Sequence, residues 1–381
     1  MQYPKFAQLM SQLIAAPSIS AVSPEWDQSN LKVINLLAEW CEHKGFKVEI
    51  LHLHDCPGKA NIIATYGSGP DGLVLSGHTD TVPFDEGEWA SDPFTVVERD
   101  NRWFGLGTAD MKGFFAIILE ALRDVDLKKL KKPLIILGTA DEETGMSGAK
   151  SLVAANKQLG RHAVIGEPTG LKPIRAHKGT MMEGIRLNGH AGHSSNPSLG
   201  KNALEGMYKV MGELLVWRDE LQKRYQNPMF EIDVPTMNLG HIHGGDNPNR
   251  ICAHCELHFD VRTLPGMSHT GLRDEIDARL AVLLADSGLE IERKQLTSGT
   301  EAMDTPASAE IIKAAEKLTG YSAETVAFGT EGPYLNALGM NTVILGPGHI
   351  EQAHQPNEYI DMREMKPAIK IIRDLVRKFC M

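Results

Sequence analysis

The chain has 381 residues, of which 42% are hydrophobic and 23% charged, as in an ordinary globular protein large enough for two domains. Its formal net charge is −10, and the absence of a basic stripe argues against a nucleic-acid partner, whereas a cationic small substrate would suit this charge. No run of about 18 uncharged apolar residues occurs, so no membrane span is predicted.

The amino-terminal segment and the cysteines indicate the compartment. Residues 1–10 have polar residues interspersed throughout and no apolar core bounded by a cleavage site, so they predict a first helix and not a signal peptide. The five cysteines are scattered and odd in number, which suits reduced thiols in a cytoplasm. Cys252 and Cys255 have a metal-site spacing, but alternating residues around them predict a strand with the two thiols on opposite faces. We therefore interpret them as structural.

Short, continuous apolar runs alternate with helical stretches in the first part of the chain. They lie at residues 73–77, 133–138 and 163–166, and a similar run lies far downstream at 342–346. Continuous hydrophobicity predicts strands that are buried on both faces. We therefore expect an α/β fold with a mostly parallel sheet covered by helices.

The residues between about 180 and 290 have a different pattern. The predicted elements are a strand at 181–187, a helix at 202–225, strands at 234–241 and 251–264, a helix at 271–285 and a strand at 289–294. The order β-α-β-β-α-β is typical of a ferredoxin-like unit. Because the run at 342–346 resembles the earlier strands, we predict that this unit is inserted into the first domain. The predicted boundaries are 1–178, 179–290 and 291–381.

Potential metal ligands follow four of the predicted strands. They are His78 after the first run, Glu142 and Glu143 after the second, Glu167 after the third, and His354 after the fourth. Sites in open α/β sheets form at the carboxyl ends of strands. We therefore expect these side chains to lie in one site.

Asp110 and Asp80 extend this group. Asp110 closes a glycine-rich segment that lets the backbone approach a ligand, although by itself it would be better explained as the cap of the helix that follows. Asp80 lies two residues after His78. On an extended chain the two side chains share a face, so we expect the Asp80 carboxylate to accept the second imidazole N–H and to orient the ring.

Several motifs together resemble the M20 metallopeptidase family. They are His78-Thr-Asp80, Gly107-Thr-Ala-Asp-Met-Lys-Gly113, Asp141-Glu-Glu-Thr-Gly145, Gly166-Glu-Pro168 and Gly192-His-Ser194. The resemblance covers essentially the whole chain. It implies a phosphorylase/hydrolase-like catalytic domain with two metal ions, a mostly parallel mixed sheet, and an inserted ferredoxin-like α+β dimerisation domain. Segments 77–85, 176–179, 239–245 and 345–348 most resemble the family's arginine-biosynthesis enzymes, which hydrolyse N2-acetyl-L-ornithine.

The resemblance also implies a role for each candidate ligand. His78 and Glu167 would hold one metal ion, Glu143 and His354 the other, and Asp110 would bridge them. We expect two Zn²⁺ ions per subunit, with Co²⁺ able to substitute, because imidazole and carboxylate ligands suit these metals better than magnesium. A cis peptide bond is expected directly after the bridging residue, between Asp110 and Met111.

Two residues are expected to take part in the chemistry beside the metal ions. Glu142 would act as the general acid/base, taking a proton from the attacking water and delivering it to the leaving amine. His193 would stabilise the tetrahedral oxyanion in its own or the partner subunit's active site, which assumes a homodimer paired through the inserted domain. Without the family resemblance, His193 would be interpreted as a surface residue of a Gly/Ser loop.

The residues that bind the substrate are predicted on weaker grounds. Arg262 and Asn249 match family positions that hold a substrate carboxylate, for which arginine offers a bidentate fork. Lys178 is a further candidate. Glu331 is our own hypothesis for a contact with the substrate's ammonium group. Each of these residues could otherwise lie on the solvated surface.

Three functions remain open at this point. The leading one is metal-dependent hydrolysis of N2-acetyl-L-ornithine to L-ornithine and acetate. A second is hydrolysis of another small N-acyl amino acid, as by a succinyl-diaminopimelate desuccinylase, or of a dipeptide; a glutamate at position 167 resembles the family's deacylases and carboxypeptidases more than its aminopeptidases. The third is a non-catalytic, dimeric metal-binding module, against which the presence of Glu142 and all five ligands counts.

Overall fold

The computed structural model describes residues 3–381, which divide into two compact units. Unit 1 contains Met1–Arg175, Thr305–Glu324 and Thr330–Met381, and unit 2 contains Ala176–Asp304 and Thr325–Gly329. The boundary predicted at residue 290 is too early. The strand that begins there pairs with the first strand of unit 2, and Thr300 exchanges main-chain hydrogen bonds with Thr180.

The elements have the following bounds. The helices are α1 Phe6–Ile14, α2 Leu31–His43, α3 Lys112–Ala121, α4 Ser147–Ala154, α5 Ala203–Arg224, α6 His269–Leu284, α7 Glu310–Thr319, α8 Gly332–Ala337 and α9 Met362–Cys380. The strands are β1 Lys47–His52, β2 Ala60–Tyr66, β3 Leu73–His78, β4 Val97–Arg99, β5 Arg102–Phe104, β6 Leu134–Thr139, β7 His162–Pro168, β8 Ile174–His177, β9 Gly179–Asn188, β10 Thr236–Gly244, β11 His254–Thr263, β12 Glu290–Gln295, β13 Met303–Asp304, β14 Glu324–Val326, β15 Asn341–Gly346 and β16 Tyr359–Asp361.

Four adjacent parallel strands form the centre of the sheet in unit 1. Their order is β6-β3-β7-β15, and they are the four continuous apolar runs of the sequence. Every residue of β3, β6 and β7 is buried, which is why these runs do not alternate. The antiparallel strands β2 and β1 extend the sheet beyond β6, and β8 extends it beyond β15, so the predicted mixed sheet is confirmed.

Helix α3 lies against the centre of this sheet. Almost all of its side chains are buried, and it packs against β3, α1 and α9. A helix that is apolar on nearly every side needs such a position to exclude water. None of the helices within residues 3–381 is long and apolar enough to cross a membrane.

Unit 2 has the predicted ferredoxin-like arrangement. Its antiparallel sheet has the order β10-β11-β9-β12, and α5 and α6 follow β9 and β11 in the chain. Strand β11 alternates between buried and partly exposed residues, so Cys255, Leu257, Phe259 and Val261 share one face and join the core. Helix α5 begins after Asn202, whose side chain accepts hydrogen bonds from the first helical N–H groups.

The prediction for the cysteine pair was wrong in one respect. Cys252 precedes β11, which begins only at His254, so strand alternation does not separate it from Cys255. Both thiols are buried in the core of unit 2 instead of lying on opposite faces. All five cysteines of the chain are free thiols, and the structural interpretation of this pair fits their burial.

Candidate metal centre

The five predicted ligands lie together in unit 1, beside the carboxyl ends of its central strands. His78 is the last residue of β3, and its Nε2 atom lies 3.0 Å from Asp110 Oδ1 and 3.9 Å from Glu167 Oε1. His354 Nε2 lies 3.1 Å from Glu143 Oε2 and 3.4 Å from Asp110 Oδ2. Residues separated by up to 276 positions in the chain (78 to 354) therefore form one cluster.

Asp110 lies at the middle of this cluster. One of its carboxylate oxygens faces His78 and the other faces His354, as expected of a ligand shared by two metal ions. The peptide bond between Asp110 and Met111 is cis, as the family resemblance implied. The N-cap residue of α3 is Met111, so the alternative interpretation of Asp110 as the helix cap was wrong.

The donor set fits divalent metal ions. Ligand atoms of His78, Asp110 and Glu143 lie within 4.8 Å of one another, close enough to share an ion. Imidazole nitrogen and carboxylate oxygen without a thiolate suit zinc or cobalt. The residues present are therefore able to hold a metal, and Glu167 and His354 lie next to this group.

The pKa shifts of the site also favour a bound cation. Burial is the main cause that raises the pKa values of Glu143 and Glu167, and repulsion from the Asp110 carboxylate is the next. Burial also raises the pKa of Glu142 well above its usual range, although His78 opposes this shift. Hydrogen bonds to Asp110 and Glu143 raise the pKa of His354 to about 11. The crowded carboxylates therefore need positive charge close by, which the imidazole of His354 is placed to supply. A divalent cation would supply this positive charge instead.

Asp80 orients His78 in a different way from the one predicted. His78 Nδ1 lies 3.0 Å from the main-chain oxygen of Asp80, whereas the Asp80 carboxylate is 3.8 Å away. The chain stops being extended after His78, where β3 ends and Thr79 forms a bend, so the strand alternation on which the prediction relied does not reach Asp80. The carboxylate instead accepts the Glu143 N–H at 3.2 Å and so connects β3 to the turn that carries Glu143.

Glu142 and Glu143 lie on a tight turn after β6 that Asp141 stabilises. Asp141 has φ +63°, and its main-chain oxygen accepts hydrogen bonds from Gly145 and Met146. Its carboxylate accepts the hydroxyls of Thr144 and Ser147, each at 2.6 Å. Both functional glutamates are therefore carried by a short segment with a fixed backbone.

A buried lysine that the sequence analysis did not single out supports this turn. Lys59 is only 4% exposed, and its ammonium donates to Asp141 Oδ1 at 2.9 Å, Asp27 Oδ1 at 2.7 Å and Ser20 Oγ at 2.8 Å. Although burial alone would lower it, these hydrogen bonds raise the pKa of Lys59. The ammonium therefore stays charged and compensates Asp141.

Glu331 does not fit its predicted role. Its side chain is completely buried, and its two carboxylate oxygens accept the Ser76 hydroxyl at 2.5 Å and the Thr139 hydroxyl at 2.6 Å. Burial raises its pKa. A contact with a substrate ammonium would need an accessible oxygen. Glu331 instead connects α8 to the carboxyl ends of β3 and β6.

The four remaining candidates lie in unit 2. Lys178 is buried, its ammonium donates to the Val234 carbonyl at 2.8 Å, and burial lowers its pKa, which does not fit a substrate contact. Arg262 is partly exposed, and its Nε donates to Asp260 at 2.9 Å.

His193 and Asn249 lie on neighbouring exposed loops of unit 2. The Asn249 carbonyl accepts the Ser194 N–H at 3.1 Å, which connects the two loops. The Ser195 N–H donates to His193 Nδ1 at 3.2 Å. Nδ1 of His193 therefore accepts a hydrogen bond, which leaves Nε2 as the donor nitrogen of the ring.

Comparison with known proteins places this arrangement in context. Residues 74–378 match the model of Peptidase family M20/M25/M40. The chain is 50% identical over 378 residues to an acetylornithine deacetylase of Photorhabdus laumondii, covering 99% of this chain and 98% of that protein. It is also 50% identical over 378 residues to an acetylornithine deacetylase of Proteus mirabilis, covering 99% and 97%.

Solved structures share the fold at lower identity. The aminopeptidase PepT of Bacillus cereus superposes with a TM-score of 0.77 at 18% identity, covering 98% of both chains. A dinuclear metal binding peptidase of the M20 family from Bacillus subtilis superposes with a TM-score of 0.69 at 15% identity, also covering 98% of both. These similarities bear on the fold alone.

Proposed function

The chain belongs to Peptidase family M20/M25/M40, and from this premise we propose that it hydrolyses N2-acetyl-L-ornithine to L-ornithine and acetate in a metal-dependent reaction. The observation that carries the proposal is the cluster of His78, Asp110, Glu143, Glu167 and His354. Glu142 precedes Glu143 in the chain, and its charge acts on the pKa of His78. The whole-chain identity with acetylornithine deacetylases supports the choice of substrate.

Two metal ions are proposed for the site, with Zn²⁺ as the occupant and Co²⁺ as a substitute. His78 and Glu167 would hold one ion, Glu143 and His354 the other, and Asp110 would contribute one oxygen to each. The support is that the two Asp110 oxygens face different imidazoles. Bound ions of this kind polarise a carbonyl oxygen and lower the pKa of water.

Glu142 is proposed to move the proton of the reaction. Burial raises its pKa well above the usual range of a glutamate, which suits a group that must both accept and release a proton near neutral pH. Its carboxylate would take a proton from the attacking water as the water's oxygen bonds to the acetyl carbon. It would then deliver that proton to the amine as the C–N bond breaks.

Three residues of unit 2 are proposed to contact the substrate. His193 would donate its Nε2 proton to the developing oxyanion, because Nδ1 already accepts from Ser195. Arg262 and Asn249 would bind the ornithine carboxylate. The Arg262 Nε–Asp260 hydrogen bond supports this proposal, since it orients the guanidinium while its terminal nitrogens remain a fork for a carboxylate. Because Arg262 lies near the last residue of β11 and Asn249 and His193 lie beyond its first, roughly 25 Å or more away along the strand, Arg262 and the other two residues would come from different subunits of the proposed dimer.

A substrate panel tests the proposed function. On the Zn²⁺- or Co²⁺-loaded protein, we expect kcat/KM for N2-acetyl-L-ornithine to exceed that for N-acetyl-L-methionine, N-succinyl-diaminopimelate and alanyl-alanine by at least about tenfold, because a site built for polar groups rejects analogues that lack them. Released amine is measured with and without a chelator. A higher kcat/KM for another member of the panel would replace the proposed substrate. Absence of chelator-sensitive turnover for every member would favour the non-catalytic module.

A homodimer paired through unit 2 is also proposed. The support is an apolar stripe on α5, where Leu204 is 47% exposed, Tyr208 78% and Leu215 37%. These residues are four and seven positions apart, so they share one face of the helix. Exposed apolar stripes of this kind mark interaction surfaces, and an isologous contact would place two such stripes together.

Charged substitutions on this stripe are expected to separate the dimer. Tyr208→Glu combined with Leu204→Glu should reduce the solution mass from that of two chains to that of one, because both charges would be buried in the contact. Light scattering after size exclusion measures the mass. Val282→Glu is the matched control, since Val282 is 80% exposed on α6 and lies outside the stripe. A monomeric wild-type protein, or a double variant that keeps the wild-type mass, contradicts the proposal.

A further inference from the structure

Another buried carboxylate, that of Glu358, lies beside the metal centre, outside the set of candidate ligands. Glu358 is 2% exposed, and its oxygens accept three main-chain N–H groups of the segment that ends at Asp110. Oε2 accepts Gly107 N–H at 3.0 Å, and Oε1 accepts Ala109 N–H at 2.8 Å and Asp110 N–H at 3.0 Å. The carboxylate therefore replaces the partners that a helix or a strand would give to these groups.

The segment that Glu358 contacts, residues 107–110, is neither a helix nor a strand. It lies between β5 and α3, and Gly107 has φ +86°, a conformation that glycine adopts without strain. A Cβ atom at position 107 would lie 2.7 Å from Lys112 Cε and 3.0 Å from Thr81 Cγ2. Lys112 and Thr81 thus pack against the segment, and the Glu358 carboxylate accepts three of the four N–H groups of residues 107–110, while the fourth, that of Thr108, donates to the Gly105 carbonyl at 3.1 Å.

Glu358 is also connected to the segment that carries His354. It lies four residues after His354, and the residue after it, Tyr359, pairs with Phe104 in the β16–β5 ladder. The Glu358 carbonyl accepts the Gly105 N–H at 3.0 Å. The segment that carries His354 is therefore bonded, through both the main chain and the side chain of Glu358, to the segment that carries Asp110.

We propose that Glu358 is a positioning residue of the metal centre: it holds the main chain of residues 107–110 so that the Asp110 carboxylate stays between His78 and His354. Each Asp110 oxygen has to face a different imidazole, so a small rotation of this segment would remove one ligand from an ion. The inference rests on the proposed function only in taking the cluster to be a metal site.

Replacing Glu358 with glutamine tests this role with metal alone. The glutamine side chain has one acceptor oxygen and an NH₂ group, so a donor would face at least one of the three N–H groups. We expect Glu358→Gln to weaken Co²⁺ binding to the metal-free protein about 10–100-fold and to change the visible absorption of bound Co²⁺. In the loaded enzyme kcat should fall while KM stays near the wild-type value.

Matched variants distinguish a positioning role of Glu358 from a general effect on the stability of the protein. Glu316→Gln is the control, because Glu316 also accepts a loop N–H, that of Ala323 at 2.8 Å, in a contact that involves neither the Asp110 segment nor the His354 segment; its Co²⁺ affinity should match the wild type. Glu358→Asp keeps both oxygens and should recover part of the affinity. Gly107→Ala would place a Cβ against Lys112 and Thr81, displace the same segment and so weaken Co²⁺ binding while position 358 keeps its glutamate.

The outcome can contradict the proposal in a defined way. If Glu358→Gln and Gly107→Ala bind Co²⁺ with wild-type affinity and spectrum, Glu358 has no positioning role, even if the urea midpoint of the metal-free protein falls. If Glu358→Gln does not fold, Glu358→Asp and Gly107→Ala decide the question by the same readout. Because Co²⁺ binding needs no substrate, failure of the deacetylation assay leaves this test unaffected.

Discussion

Replacing Glu142 with glutamine is expected to lower kcat for N2-acetyl-L-ornithine about 10²–10⁴-fold, the usual contribution of a general acid/base. The amide has the shape of the carboxylate but cannot accept the proton of the attacking water. Metal content should be unchanged, because the imidazole contacts of the cluster are made by Asp110, Glu143 and Glu167. Steady-state kinetics and metal analysis of the same purified protein measure both quantities.

The neighbouring glutamate provides the matched control. Glu143 lies 3.1 Å from His354 Nε2, so Glu143→Gln should weaken metal binding and lose activity for that reason, with partial recovery at high Co²⁺ concentration. Added metal should not restore Glu142→Gln. A Glu142→Gln enzyme with near wild-type kcat would remove Glu142 from the mechanism, and recovery with Co²⁺ would make it a ligand.

The fold was predictable because its signals are physical and local. The four central strands are buried on both faces, and a strand in that position is apolar at almost every residue, as the runs at 73–77, 133–138, 163–166 and 342–346 are apart from Ser76 and Thr342. Strand β11 in unit 2 has one face on the core, so its sequence alternates. The order of the elements then gave the inserted unit without any knowledge of contacts.

The ligands of the candidate site were predictable for a related reason. Parallel strands bring their carboxyl ends to one edge, so His78 and Glu167 could be placed together from position alone. The orientation of Asp80 could not, because it depends on where the chain stops being extended. The charge of Glu331 suggested a substrate contact, whereas its burial against Ser76 and Thr139 is decided by α8, far along the chain.

Glu358 and Lys59 carry no local signal of their roles. Each is a charged residue in a mixed segment, where the sequence favours a solvated surface position. Glu358 is buried because residues 107–110 present N–H groups that need an acceptor, and Lys59 because Asp27 and Asp141 reach it from other parts of the chain. Partners separated by 32 to 251 residues decide both cases, which single-sequence patterns do not report.

Lys59→Met is expected to lower the free energy of unfolding by about 3–5 kcal/mol, because it leaves the Asp141 carboxylate buried without its cation. The methionine keeps the apolar stem and removes only the ammonium. Urea denaturation of the metal-free protein measures the change. Lys157→Met is the matched control: its ion pair with Glu49 is partly exposed, with side chains 29% and 50% accessible, so it should cost only about 0–1 kcal/mol.

The double variant Lys59→Met/Asp141→Asn should recover part of this loss, because no unpaired charge then remains buried.

The stability of the protein should also depend on pH through Asp141. Although burial would raise it, contacts with Ser147, Thr144 and Lys59 hold the pKa of Asp141 below its usual value. The contribution of the ionised Asp141 contacts to the free energy of unfolding should therefore be present above about pH 4 and be lost as the pH falls through the pKa of Asp141 in the folded protein.

If Lys59→Met and Lys157→Met lower the free energy of unfolding equally, Lys59 does not compensate Asp141. A kcat that falls in Lys59→Met under conditions where the protein stays folded would show that the pair also fixes the turn carrying Glu142 and Glu143.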